Sequence, residues 1–407
     1  MKKQYLILLS SSLLALASCG GTSGALLPSG GTSVDQKEAI QHLSTAVGSV
    51  GSDGSFGIKL ENFALAANAE VNTPIMSGYS DLMGLASIGT PTVSLATTKA
   101  SLDVSGVTFS AMAQGLKSKT VNDVKASVDF GASIKANVEM ANGGITQQSS
   151  VDYSGMSVGA YIDSGNFYLD LSNEKAVSLV NTLLSLFSTL RYSSSSDYSG
   201  GMSIPTIPTG KFVQNGVISA SMLPLLSDSV EGDITTTMNY VSTYLTAYKD
   251  YFKSYSYSNG NYAIDFTLTK DSLKALISNT LSSVYASSSM DSTTQSAVTS
   301  YVELINKYLT INACQEVLIY NDKGPVSIAQ NVDVAVNTTL GDIVGSMASS
   351  ANSMFTSAQL AAVEKLSYKS SYKLSFLTGT DVKVNTPSDL ASYTNPTTLE
   401  TTSVTAQ

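Results

Sequence analysis

The sequence predicts an α+β fold, an antiparallel β-sheet with helices packed on one face, and three observations carry that expectation. Residues 124–140 alternate without a break: Val124, Ala126, Val128, Phe130, Ala132, Ile134, Ala136, Val138 and Met140 fall on one side, Lys125, Ser127, Asp129, Lys135, Asn137 and Glu139 on the other. A period of two gathers these residues on one strand face, where a helix would scatter them. Turn signals at Asp163-Ser164-Gly165-Asn166, Asn259-Gly260 and Asn321-Asp322-Lys323-Gly324 mark hairpins, and hairpins make antiparallel pairs. Residues 174–191 and 270–287 instead carry their apolar residues at helical spacing.

The chain opens with MKKQYLILLSSSLLALASC. Lys2 and Lys3 precede an apolar stretch, Tyr5 to Ala17, that is too short for a permanent membrane span, and small residues then lead to a cysteine. Leu16-Ala17-Ser18-Cys19 resembles the lipobox of bacterial lipoproteins. That resemblance implies a signal peptide over 1–18, cleavage between Ser18 and Cys19, and a diacylglyceryl group on the Cys19 sulfur. Two acyl chains hold a protein stably where one holds it marginally. The expected location is therefore outside the cytoplasm, anchored on the outer face of the cytoplasmic membrane or on an outer membrane if the host has one. Residues 19–34, rich in Gly, Ser and Thr, read as a flexible tether.

A single domain is expected over 35–385, with room in it for two similar halves. Residues 35–49 are helical by spacing, with His42 beside the apolar stripe. Strands follow at 56–65, 101–116 and 124–140, the last bent or bulged near Gly131. The hairpin of 151–171 leads into a helix at 174–191 capped by Asn173, with a stripe of Val177, Val180, Leu183, Leu184, Phe187 and Leu190. Further helices are expected at 235–253, 270–287 and 293–309, the last opened by a Ser292/Gln295 capping box. Strands at 311–320 and 325–337, a small-residue helix within 340–364, and strands at 366–377 and 381–385 complete the domain, and 386–407 read as a disordered tail. The stretches 165–172 and 260–267 echo each other, each running toward a helix that contains Asn-Thr-Leu.

Composition narrows function mostly by exclusion. Of 407 residues 13% are charged, and the net charge of −9 falls to about −11 when Lys2 and Lys3 leave with the signal, which argues against nucleic acid. One His, no Trp, no Cys-x-x-Cys and no calcium loop leave little for a metal or a cofactor, and none is expected. No Gly-x-Ser-x-Gly elbow or nucleotide loop appears, so the reading is not an enzyme. With Cys19 acylated, Cys314 has no cysteine to pair with and reads as a packed thiol. The chemistry-bearing feature is aromatic: Tyr240, Tyr244, Tyr248, Tyr251 and Tyr255 recur every three or four residues, so most share one helix face, pairing apolar rings with polar tips.

The order of elements over roughly 95–340 resembles the LolA-like group of lipoprotein and lipid carriers: long one-sided strands, a hairpin leading into helices, then a closing hairpin. The resemblance implies a curved sheet whose concave face is covered by helices over an apolar cavity. The expected function is that of a membrane-anchored lipoprotein binding an apolar ligand such as lipid between sheet and helices. Tyr240, Tyr244, Tyr248, Phe130 and Ile134 are the candidate lining. Ala126, Ala132 and Ala136 would leave room beneath the helices. The alternative is a structural or adhesive surface lipoprotein with a filled core and an exposed aromatic patch.

Overall fold

The computed structural model describes residues 26–46, 54–77, 92–193, 206–223, 243, 245, 246, 251–275, 303, 307–347 and 355–395. These residues build one antiparallel sheet of twelve strands: β1 (Thr32–Val34), β2 (Phe56–Ser77), β3 (Thr92–Gln114), β4 (Lys125–Asn142), β5 (Ile145–Asp163), β6 (Asn166–Leu171), β7 (Gly210–Gln214), β8 (Lys253–Ser256), β9 (Tyr262–Thr267), β10 (Leu309–Asn321), β11 (Gly324–Thr339) and β12 (Val363–Thr378). Across the sheet they run β1-β8-β9-β10-β11-β12-β2-β3-β4-β5-β6-β7. Among the described residues the helices include α1 (Gln36–Ala46), α2 (Glu174–Ser193), α3 (Leu340–Met347) and the single turn α4 (Ser357–Leu360), and 270–275 are helical as well.

This corrects the α+β expectation. One large sheet dominates, closer to an all-β protein than to a sheet layered under helices, because the strands are far longer than the alternation indicated. At about 3.4 Å per residue, β2 and β3 each extend on the order of 75 Å. The expected helices at 235–253 and 293–309, with the Ser292/Gln295 box, lie almost wholly outside the described residues, as does 276–287 of the helix expected from 270. The strand expected at 381–385 does not form.

A line of β-bulges crosses the long strands. Pairing shifts register between Ser371 and Lys373 of β12, at Asn62–Phe63 of β2, at Gly106–Val107 of β3 and at Ser154–Gly155 of β5. Asn62, Gly106 and Gly155 have φ of 56°, 58° and 71°, the left-handed region open to Gly and, among side chains, most readily to Asn. Opposite Ala132 and Ser133 the extra residues belong to the neighbouring strands, so β4 keeps its alternation while β3 and β5 shift around it.

The sheet faces differ in kind. In successive rungs one face carries Leu309–Val336–Leu366–Ala69–Ala100–Val138, then Ile311–Val334–Tyr368–Ala67–Leu102–Ala136–Val151. Beyond the bulge line it carries Leu318–Ile328–Leu374–Leu60–Phe109–Phe130–Val158. The other face carries Asn337–Lys365–Glu70–Lys99–Glu139–Gln148 and Asp333–Lys369–Ala66–Asp103–Lys135–Asp152, where opposite charges stand on neighbouring strands.

Helices rest on the apolar face near its two ends, and toward the α1 end Leu273 of the helical residues 270–275 packs on Phe266, Leu309 and Ile311. Ile40 and Leu43 of α1 pack with Ile264 and Tyr320, and the Tyr320 hydroxyl donates to the Ala39 carbonyl. Ala176 and Leu179 of α2 pack on Ala132, Met156 and Val158. Asn173 caps α2 as expected, accepting the Ala176 N–H at 3.1 Å, and its amide donates to the Gly155 carbonyl at 2.9 Å, which docks the helix on the β5 bulge. Of the stripe expected to bury α2, Val177 is buried while Val180, Leu183 and Leu184 are exposed.

On the charged face, the end beyond the bulges is covered by the C-terminal segment. Val382 and Tyr393 are buried there, as are Met112, Ser127 and Tyr161 on β3, β4 and β5. Residues 386–395, assigned to the tail by composition, run to Thr394, which pairs in parallel with β7 at Phe212. The Val213 N–H donates to the Thr394 carbonyl at 2.9 Å, and the Thr394 N–H donates to the Lys211 carbonyl at 3.0 Å. This pairing covers an otherwise open sheet edge.

Candidate functional site

The candidate site is the apolar face between α1 and α2, on β11, β12, β2, β3 and β4. Antiparallel sheets commonly bury one face and wet the other. Here the apolar face is not fully buried: Leu366 is 53% exposed, Met140 51% and Val138 40%, with Val71, Leu102, Val151 and Tyr368 also open. At the tip of the β4–β5 hairpin Ile145 reaches 68%. Several neighbours are alanines, Ala67, Ala69, Ala100 and Ala136, so the rungs between the large side chains are shallow. A run of open aliphatic side chains over several adjacent strands is the kind of surface that marks a binding site.

Of the residues singled out from sequence, Phe130 and Ile134 lie on this face, two rungs apart on either side of the bulge line. Phe130 is 41% exposed, and Ile134 packs near Ala132 and Met156 beside α2. Tyr240, Tyr244 and Tyr248 lie outside the described residues, as do Ser18 and Cys19. His42 stacks on Tyr262 with ring centroids 4.4 Å apart and shares a 3.2 Å hydrogen bond with its hydroxyl. Cys314 is a buried thiol packed on Val332.

Sequence reasoning passed over Glu316. It stands on the apolar face in the rung Phe266–Glu316–Gln330–Tyr372, at the bulge line. The residue is only partly buried, but its carboxyl oxygen Oε2 is sealed from solvent and has no hydrogen-bond partner. Burial raises its pKa to about 8, so the carboxyl is neutral at ordinary pH. Gln330 and Ser370 beside it are buried, and the Ser370 hydroxyl donates to the Gln330 side-chain oxygen Oε1 at 3.4 Å. Burial likewise raises the Tyr372 phenol, with the Glu316 carboxyl adding to it. The available signal was phase: Glu316 lies two residues from both Cys314 and Leu318, in the apolar register of β10.

The charged face holds a groove of about 460 Å³, floored by Asn68, Ser101, Asn137 and Ser367 and flanked by Glu70, Lys99, Glu139 and Lys365. Among the described residues no group of three or more His, Cys, Asp or Glu side chains could hold a metal, and no helix is long and apolar enough to cross a membrane.

The chain matches no protein-family model, no curated protein and no solved structure.

Proposed function

We propose that this chain is a lipid-anchored envelope lipoprotein that binds an apolar ligand, such as the acyl chains of a lipid, on the open apolar face of its sheet. The observation that carries the reading is the set of exposed aliphatic rungs headed by Leu366 and Tyr368, flanked by α1 and α2. Leaving such surface in water forgoes about 25 cal/mol for each Å² that a ligand could cover. The shallow alanine positions suit chains that lie across the strands. The lipobox around Cys19 supports the anchor and a location on the outer side of a membrane.

A second reading, a structural or adhesive surface lipoprotein, draws on the polar groove lined by Asn68, Asn137, Glu70 and Lys99. Alternating charges are the ordinary dress of a solvated sheet face, whereas an open aliphatic face is not, so the lipid reading leads.

Two measurements test the proposal. Labelled palmitate should enter the wild-type chain and not the Cys19→Ser chain. Organic extraction of the purified Cys19→Ser chain, which carries no acyl group of its own, should release a bound lipid seen by native mass spectrometry and lost on denaturation. A clean protein mass that stays unchanged when lipid is offered contradicts the ligand reading.

A further inference from the structure

Five rungs of the apolar face can be followed across β10, β11 and β12. Four are Leu309–Val336–Leu366, Ile311–Val334–Tyr368, Cys314–Val332–Ser370 and Leu318–Ile328–Leu374, and among their twelve side chains the polar atoms are the Tyr368 and Ser370 hydroxyls. The Ser370 hydroxyl is engaged by Gln330. The fifth rung is Glu316–Gln330–Tyr372, polar in all three strands and set between apolar rungs on both sides. A carboxyl with an unpartnered buried oxygen costs stability, and an apolar side chain of similar size would cost less. Such a group is retained at a cost when it serves a partner.

We infer that Glu316, with Gln330 and Tyr372, is the polar anchor of the apolar face, donating a hydrogen bond to the ester carbonyl of an uncharged acyl lipid whose chain lies on the half-buried Leu318–Ile328–Leu374 rung, the Cys314–Val332–Ser370 rung on the other side being buried. The inference rests on the lipid reading of that face and names the ligand class. The groups that face Glu316 are Phe266 from β9, Cys314 and Leu318 along β10, Gln330 from β11 and Tyr372 from β12. The titratable ones are the Tyr372 phenol and the Cys314 thiol, and no Lys, Arg or His is among these neighbours. The helical residues 270–275, whose Leu273 packs on Phe266, carry Lys270, Asp271 and Lys274, all exposed to solvent. Among the described neighbours within the sheet an anionic headgroup would meet no counter-charge. A neutral carboxylic acid can donate, and an ester carbonyl can only accept, so the two are complementary. The raised pKa of Glu316 keeps that donor in place at pH 7 and removes it above about pH 8.

The test uses the full chain carrying Cys19→Ser and three probes with the same eighteen-carbon chain length: methyl oleate, octadecene and oleylamine. Octadecene reads the apolar face alone, and methyl oleate adds one carbonyl. The expected result is at least tenfold tighter binding of methyl oleate than of octadecene at pH 7. That preference collapses above pH 9 and in Glu316→Leu, while Glu316→Gln, which keeps an N–H donor, holds it at both pH values. Equal binding of the two probes by wild type, or a preference that survives in Glu316→Leu, overturns the anchor and leaves the apolar face standing. Tightest binding of oleylamine assigns Glu316 to a cation and overturns the neutral-lipid assignment. Failure of every probe to bind overturns the anchor together with the lipid reading.

Discussion

Lys365 and Leu366 are neighbours in β12, and each stands in a rung of opposite character. Lys365 pairs with Glu70, and the rung continues through Lys99 and Glu139 as alternating charge. Leu366 pairs with Ala69, and its rung continues through Ala100 to Val138 as aliphatic surface. The strand period of two separates a charged face from an aliphatic one within a single peptide unit. Substitutions on the two faces should therefore divide cleanly. Lys99→Ala and Lys365→Ala should leave both stability and lipid uptake within experimental error, since exposed charges of this kind contribute about 0–1 kcal/mol. Parallel unfolding and uptake measurements check this.

Glu316 makes stability depend on pH. Its unfolded carboxyl loses its proton near 4.5 and its folded carboxyl near 8, so between those values the folded state binds the extra proton. The Glu316 contribution to stability is therefore highest below pH 4.5, falls as pH rises through the window, and levels off above about pH 8. Glu316→Gln should remove this slope and be more stable than wild type at pH 7 by up to about 3 kcal/mol. Chemical denaturation of both chains at pH 5, 7 and 9 measures it, and an equal difference at all three values contradicts the assignment.

Tyr161 reaches Asp129 across Gly159. Its hydroxyl donates to Asp129 Oδ1 at 2.7 Å, and a methyl at Gly159 would fall 2.1 Å from the Tyr161 oxygen. Burial, with the Asp129 carboxylate beside it, holds the phenol above its ordinary range. Tyr161→Phe should cost about 1 kcal/mol for the lost hydrogen bond. Gly159→Ala should cost more, about 2–3 kcal/mol, because the ring has to leave its place. Thermal unfolding of the two variants should rank them in that order.

The C-terminal segment should act as an edge guard. Tyr393 is buried, meets Tyr168 edge-on at 5.5 Å, and its hydroxyl donates to Asp170 Oδ2 at 3.4 Å. Lys211 adds an ion pair to Asp389 at 2.7 Å. Tyr393→Ala should destabilise by about 3–4 kcal/mol and raise the rate of aggregation by freeing β7. Light scattering during mild heating reads the second effect, and Lys211→Ala should fall well short of it.

The strand character of β4, the three hairpin turns and the Asn173 cap were legible because each depends on local chemistry. The full lengths of β2 and β3 were not. Asn62 and Gly106 insert bulges that shift the phase of alternation, so Leu60 and Leu65 share a face at an odd spacing. The apolar side of β4 was legible as a face, but its exposure was not, because alternation reports which side is apolar and not what covers it. Ser127 shows the converse: polar by sequence, it is buried at 2% exposure on the face that the C-terminal segment covers. Glu316 was hidden because a carboxylate in a strand ordinarily faces water.

Whether the open aliphatic face holds acyl chains is measured most directly by lipid uptake in the Cys19→Ser chain carrying Leu366→Asp and Val138→Asp. Both positions are exposed, so the double variant should fold with stability within about 1 kcal/mol of its parent. Placing two carboxylates among the aliphatic rungs should weaken binding of a fluorescent acyl probe at least a hundredfold, while Lys365→Ala and Lys99→Ala together leave it unchanged. Undiminished binding by a folded Leu366→Asp, Val138→Asp chain would contradict the assignment of ligand binding to this face.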